Sequence, residues 1–393
     1  MTAVAPARQT PLMSRVLRVA LAVFAAGLMS HPVADAQSGA PAARLGRGGV
    51  ESRYDASRAG DVVNLSDRRT QLVVRVLTTA SNAYQVTVKG EDVIRRTWNT
   101  LDDIRGQLGL NGVPLLWPYA NRLDEQAFYA NGQKYSFDPG LGNTGRGAIP
   151  IHGFVTGATA WKVVEAKADS RSAWVTMKLD FFRIPRYMKQ FPFAHTLSMT
   201  YRVQDGALEV HTRIDSLSDE PMPVAIGFHP YFQLTDSPRE EWRIAIGAKT
   251  HWKLEPRKLP TGETEPITRF LPDPKHVLVK DVMLDDIFTD LERDARGRAT
   301  LSLIGRAQQV DVLIGPKFRT ALVYTPPDNP NRGGGPGPNP PPAVPMRGSV
   351  AFEPMAAITN ALNLAQKGLY KDLQSIEPGG SWEESFWIQP HGF

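Results

Sequence analysis

The sequence predicts an all-β protein, a large antiparallel sandwich or barrel, and three observations carry that prediction. Short runs alternate apolar and polar residues at a period of two, the pattern of half-buried strands. The 393 residues include 33 glycines and 32 prolines, and no long amphipathic helical run separates the turns. Strands that follow one another without interleaved helices exclude a parallel βαβ sheet. With 42% hydrophobic and 22% charged residues, the chain can bury a sizeable core.

Along the chain, the first element is a leader. Arg15 and Arg18 precede the apolar run from Val19 to Met29, and Ala34-Asp35-Ala36 supplies small residues for a signal peptidase. The run is short for a membrane span, which needs about 20 apolar residues. Residues 1–36 are therefore expected to be a signal peptide, with Met13 an alternative start, and the mature protein to be periplasmic or secreted. Residues 37–60 read as a flexible lead-in, and residues 61–393 as the β domain.

Leu72–Leu77 and Tyr84–Val88 open the strand series across a polar turn. Ala173–Leu179, Thr196–Val203 and Leu208–Ile214 alternate regularly, and Asp205-Gly206 between the last two is a strong hairpin signal. Further runs are Trp242–Ile246, Leu301–Ile304, Val310–Ile314, Thr320–Tyr324, Val350–Phe352 and Ser385–Ile388, with a brief helical exception around Thr359–Gln366. Residues 326–347 are an island in which 13 of 22 positions are Pro or Gly, so they cannot contribute to a core. Strand-like runs on both sides favour an insertion within a hairpin over a domain linker.

Composition also limits the chemistry. Cysteine is absent, which removes disulfides, thiolate nucleophiles and cysteine-ligated metals. The formal charge is +5, of which the leader region holds +2, so the remainder is too weakly and diffusely basic to indicate nucleic acid. There is no Gly-x-Ser-x-Gly elbow and no His-Glu-x-x-His, so no cofactor or metal is expected. What remains are polar residues inside apolar strings, which cost free energy to bury without partners. Asn121 and Arg122 end the string Val113–Leu123. His152 lies in Ile149–Phe154, His229 in Val224–Phe232, and Glu353 in Val350–Met355. Singly, each reads as a satisfied core residue. Together they offer an acid, a base, polar anchors and aromatic surface, the combination that recognises a sugar.

At these strings the sequence resembles the aldose 1-epimerase (galactose mutarotase-like) family. The carrying segments are Gly112–Leu123, Ile151–Phe154, Pro221–Phe232, Leu284–Phe288 and Phe352–Met355, with Ile376–Glu384 resembling the closing segment. The resemblance implies a twisted antiparallel β-supersandwich with a sugar cleft. It implies that His229 protonates the ring oxygen of a free monosaccharide and that Glu353 takes the proton from the anomeric hydroxyl. It further implies that Asn121, Arg122, His152 and Asp285 hold hydroxyls, with Tyr231 a further contact and Asp286 an alternative to Asp285. The sequence departs from the pattern at Trp117, where many relatives carry phenylalanine, and at Leu322, where some mutarotases place a glutamine. Both departures leave the identity of the sugar open. A non-catalytic carbohydrate-binding protein and a glycoside-cleaving enzyme of the same fold are the alternative expectations. A phosphorylated sugar is disfavoured by export and by the lack of an extra cationic cluster beside these strings.

Overall fold

The computed structural model describes residues 43–44, 52–106, 108–138, 149–327 and 348–393. The expected leader and most of the Pro/Gly-rich island lie outside these residues. From Ala42 onward the chain forms one compact unit.

Three antiparallel sheets dominate. The first is a meander of Ala43–Arg44, Tyr54–Ala59, Val62–Asp67, Leu72–Leu77, Asn82–Val88 and Glu91–Asp92 in sequence order. Its second strand falls inside the stretch expected as a lead-in. Tyr54 and Ala56 explain why: they alternate with polar residues and are buried. The second sheet has nine strands, running Lys162–Ala168, Ala173–Leu179, His195–Gln204, Ala207–Ser216, Ser381–His391, Gln309–Ile314, Ala299–Ile304, Arg243–Ile246 and Val277–Leu278. The expected hairpin is here: Gln204 pairs with Ala207, and Asp205 and Gly206 both have positive φ (50° and 76°), the conformation a two-residue type I′ turn needs.

The third sheet positions the polar residues singled out above. Its order is Pro260–Pro266, Ala248–Leu254, Asp285–Leu291, Thr320–Tyr324, Val350–Met355, Gly227–Phe228 and Leu115–Leu116, with Tyr231–Phe232 also pairing to Val350–Met355. Thr320–Tyr324 and Val350–Met355 are direct neighbours, so the Pro/Gly-rich island separates two strands of one sheet. The second and third sheets face each other through aromatic packing. Phe228 lies 4.9 Å (ring centroids) from Phe386, and Phe318 lies 5.6 Å from Trp382. The helical stretch expected near 359–366 is the helix Ala361–Gln366. Among the described residues no helix is long and apolar enough to cross a membrane.

Candidate active site

Strand register builds the floor of the site. Gly227 pairs with Met355 and Tyr231 with Ala351, two pairings that share one register and place His229 directly opposite Glu353. Pro230 lacks an N–H and interrupts the ladder there, and the His229 amide donates instead to the Pro114 carbonyl at 3.3 Å. The two side chains meet: His229 Nε2 is 3.0 Å from Glu353 Oε1, and both are almost wholly buried (5% and 1% exposed). Adjacent strands hold His229 and Glu353 in direct hydrogen-bond contact.

The same register assigns the neighbouring carboxylate. Asp285 pairs with Tyr324, which pairs with Ala351, while one pleat further on Ile287, Leu322 and Glu353 form a second row. Residues in register, and two apart along a strand, share a face. Asp285, Tyr324, Leu322 and Glu353 therefore project from one face of the sheet, and Asp286 from the other. Asp286 accepts from His251 Nε2 at 3.1 Å, on the far side of the sheet from Glu353. Asp285 Oδ2 accepts from Arg122 Nη2 at 3.1 Å. This pair is more open than the floor, at 23% and 18% exposure, and forms the rim.

A loop carries the remaining predicted residues to the same place. Asn121 and His152 both adopt positive φ (55° and 62°), a conformation that strains residues other than glycine. Asn121 Oδ1 accepts from the Arg122 amide at 2.9 Å and from Arg122 Nη1 at 3.0 Å, so it acts as a bracket for the guanidinium. The Asn121 carbonyl accepts from the His152 amide at 2.8 Å. Trp117 fixes the other side, its carbonyl accepting from Phe154 N at 3.0 Å. The Trp117 indole donates to His195 Nε2 at 2.9 Å, and His195 Nδ1 lies 2.6 Å from the Phe193 carbonyl. The tryptophan that departs from the family pattern is thus matched by a buried acceptor. His152 lies edge-on to His229, with ring centroids 5.2 Å apart.

Aromatic rings complete the wall. Tyr231 stacks on His229 at 4.7 Å, and Tyr324 stands edge-on to both, 6.4 Å from His229 and 6.3 Å from Tyr231. All the site residues expected from the sequence converge here. Tyr324 and Arg95 were not foreseen: Tyr324 is the last residue of a recognisable strand, but Arg95 follows no motif and reaches the site only through the fold. Its guanidinium lies 3.8 Å over the Tyr231 ring.

Burial sets the electrostatics. Desolvation pushes the Glu353 carboxyl above its ordinary range, partly opposed by His229. His152 is held well below the ordinary histidine range by burial, then by the neighbouring His229 and Arg122, so it is a neutral imidazole. Four shielded polar atoms of these residues have no hydrogen-bond partner among the described residues: Glu353 Oε2, His229 Nδ1, His152 Nδ1 and Arg95 Nε. Such atoms are costly unless something hydrogen-bonds them, and sugar hydroxyls can both donate and accept. Among the described residues no group of three His, Asp or Glu side chains is arranged to hold a metal ion.

The site thus joins a buried carboxylate–imidazole pair, a guanidinium–carboxylate rim and an aromatic wall on one face of an antiparallel β-sandwich. The chain belongs to the aldose 1-epimerase family, whose model matches residues 42–389. Solved structures share the fold. A galactose mutarotase-like protein from Clostridium acetobutylicum superimposes with a TM-score of 0.70 at 18% identity, covering 86% of this chain and 98% of that one. A GalM/aldose epimerase homologue from C. elegans gives 0.63 at 14% identity, over 82% and 97%. Galactose 1-epimerase from Lactobacillus acidophilus NCFM gives 0.59 at 15% identity, over 90% and 98%.

Proposed function

We propose that the protein is an exported mutarotase that interconverts the α and β anomers of a free sugar, with Glu353 as base and His229 as acid. The observation that carries the proposal is the 3.0 Å contact between His229 Nε2 and Glu353 Oε1. Opening a cyclic hemiacetal removes a proton from the anomeric hydroxyl and delivers one to the ring oxygen. Both oxygens are bonded to C1, so they lie side by side, and an acid and base that touch match them better than a separated pair. Glu353 takes the hydroxyl proton as His229 protonates the ring oxygen, and the C1–O bond of the ring breaks. Rotation about C1–C2 presents the other carbonyl face, and the same transfers in reverse close the ring. The raised Glu353 carboxyl suits a base that must give its proton back. Arg122, His152 and Asp285 are proposed to hold hydroxyls, and Tyr231 to flank the ring.

The experiment is anomer exchange by NMR on protein isolated from the exported fraction, whose first residue this reading places at Gln37. Glu353→Gln and His229→Asn should each lower turnover by roughly 10²–10⁴-fold, the usual worth of a positioned proton-transfer group. The wild-type pH–rate profile should be bell-shaped, its acid limb lying above the ordinary carboxylate range because the folded Glu353 is raised. Glu353→Gln should not lower Tm at neutral pH, because a carboxyl with a raised folded pKa disfavours the folded state above that pKa. A folded Glu353→Gln protein exchanging anomers at the wild-type rate would overturn the assignment. Sugar binding without any acceleration of exchange would favour a binding module.

A further inference from the structure

The charges at the site do not balance. Arg122 is paired with Asp285 and His229 with Glu353. Arg95 has no carboxylate within ion-pair distance among the described residues. Its Nε is shielded from solvent without a hydrogen-bond partner, Nη1 reaches Ser349 Oγ only at 3.4 Å, and its other polar neighbour is the uncharged Tyr231 side chain. Arg293 makes the contrast clear: it also lacks an ion pair, but donates to the carbonyls of Gly297, Ile314 and Phe318. The Arg95 backbone is fixed, its amide donating to the Tyr231 carbonyl at 2.8 Å. Surrounding protein is dense enough at the guanidinium to pull its pKa down, yet the side chain keeps some solvent access. Tyr231 links it to the chemistry, touching His229 with its ring and carrying the guanidinium over that ring.

A desolvated cation without a counter-charge is costly to keep, and a guanidinium is shaped to take a planar or tetrahedral oxyanion by two parallel hydrogen bonds. We propose that Arg95 selects a sugar bearing an anionic substituent, a carboxylate or a phosphate, at the end of the ring remote from C1. With C1 at the His229–Glu353 pair, the ring extends along Tyr231 and its far substituent meets Arg95. This rests on the mutarotase reading for the placement of C1, and it adds the charge of the substrate. A uronate is compatible with export, and a sugar phosphate carries the same recognition chemistry.

The test compares glucose and galactose with their uronic acids and their 6-phosphates. Anomer exchange is measured by NMR and binding by calorimetry, for wild type, Arg95→Lys and Arg95→Met. The expected result is a kcat/KM at least tenfold higher for one anionic class than for the neutral sugar of the same configuration. That class identifies the source of the charge. In Arg95→Met the anionic-to-neutral ratio should fall at least tenfold, mainly through KM, and Arg95→Lys should restore part of it. A merely structural role for Arg95 would move both substrates together and leave the ratio unchanged, which would overturn the proposal. Equal wild-type rates on neutral and anionic sugars would overturn it while leaving the mutarotase reading intact. If no sugar is turned over, Arg95-dependent binding of an anionic sugar upholds the proposal and removes the mutarotase reading. Absence of both turnover and anionic binding overturns both.

Discussion

At the scale of the residue, two adjacent carboxylates have opposite duties. Asp285 holds Arg122 on the rim, and Asp286 faces a buried cluster behind the sheet. Burial alone would raise the Asp286 carboxyl. The hydrogen bond from His251, the Asp285 amide at 3.0 Å and nearby Lys258 outweigh it and hold the carboxyl below its ordinary range. Asp285→Asn should therefore act on the substrate, raising KM with little change in Tm, because it removes the anion that orients Arg122. Asp286→Asn should act on the fold, lowering stability by about 1–3 kcal/mol as a buried hydrogen-bonded charge is lost. Measuring KM and Tm for both variants checks the division, and a KM effect confined to Asp286→Asn would reverse it. The residue types of the site were legible in the sequence, because polar groups inside apolar strings advertise themselves. The choice between Asp285 and Asp286 was not. A strand's period of two says that neighbours face opposite ways, but only pairing to Tyr324 says which way each faces.

At the scale of the element, the segment 151–153 is held against Trp117 by backbone contact too close for a side chain. Gly153 has φ +62°, and a Cβ built there falls 2.1 Å from the Trp117 carbonyl oxygen. Gly153→Ala should force the 151–153 segment away from Trp117 and displace His152, which precedes it. The expected outcome is a lowered Tm together with reduced kcat/KM, and unchanged values for both would show that the segment tolerates the shift. Interior strands such as Ala173–Leu179 and Thr320–Tyr324 were recognisable to the residue, since burial on at least one face imposes the apolar pattern. Lys162–Ala168 and Pro260–Pro266 were not. Each is an edge strand whose side chains are mostly exposed or half-buried, so the apolar alternation is weak.

At the scale of the whole molecule, the buried titratable groups predict how the fold responds to acid. His195 sits wholly inside, and burial lowers it from the ordinary 6.5 to about 3; His152 is lowered in the same sense. A histidine depressed in the folded state binds its proton only on unfolding, so each contributes stability that is complete above pH 6.5 and lost as pH falls below it. Each such group costs about 1.4 kcal/mol per pH unit in that window. Glu353 has the opposite sign. Its raised carboxyl takes up a proton in the folded state before the unfolded chain does, so between its folded pKa and the ordinary 4.5 it offsets one histidine. Counting His195, His152 and Glu353 alone, where these windows overlap two protons are bound by the unfolded chain for one bound by the folded protein. These three groups should therefore cost the wild type about 1.4 kcal/mol per pH unit there, and Glu353→Gln, which lacks the offset, should show a slope steeper by a further ~1.4 kcal/mol per pH unit. Urea unfolding at pH 6 and pH 5 on both proteins measures the two slopes. Equal slopes would mean that Glu353 does not take up its proton between pH 6 and pH 5 in the folded protein. The proposed exchange of protons between Glu353 and a sugar would then lose the raised titration it draws on. A steeper loss in Glu353→Gln would tie the acid response of the whole sandwich to the proton held at its active site.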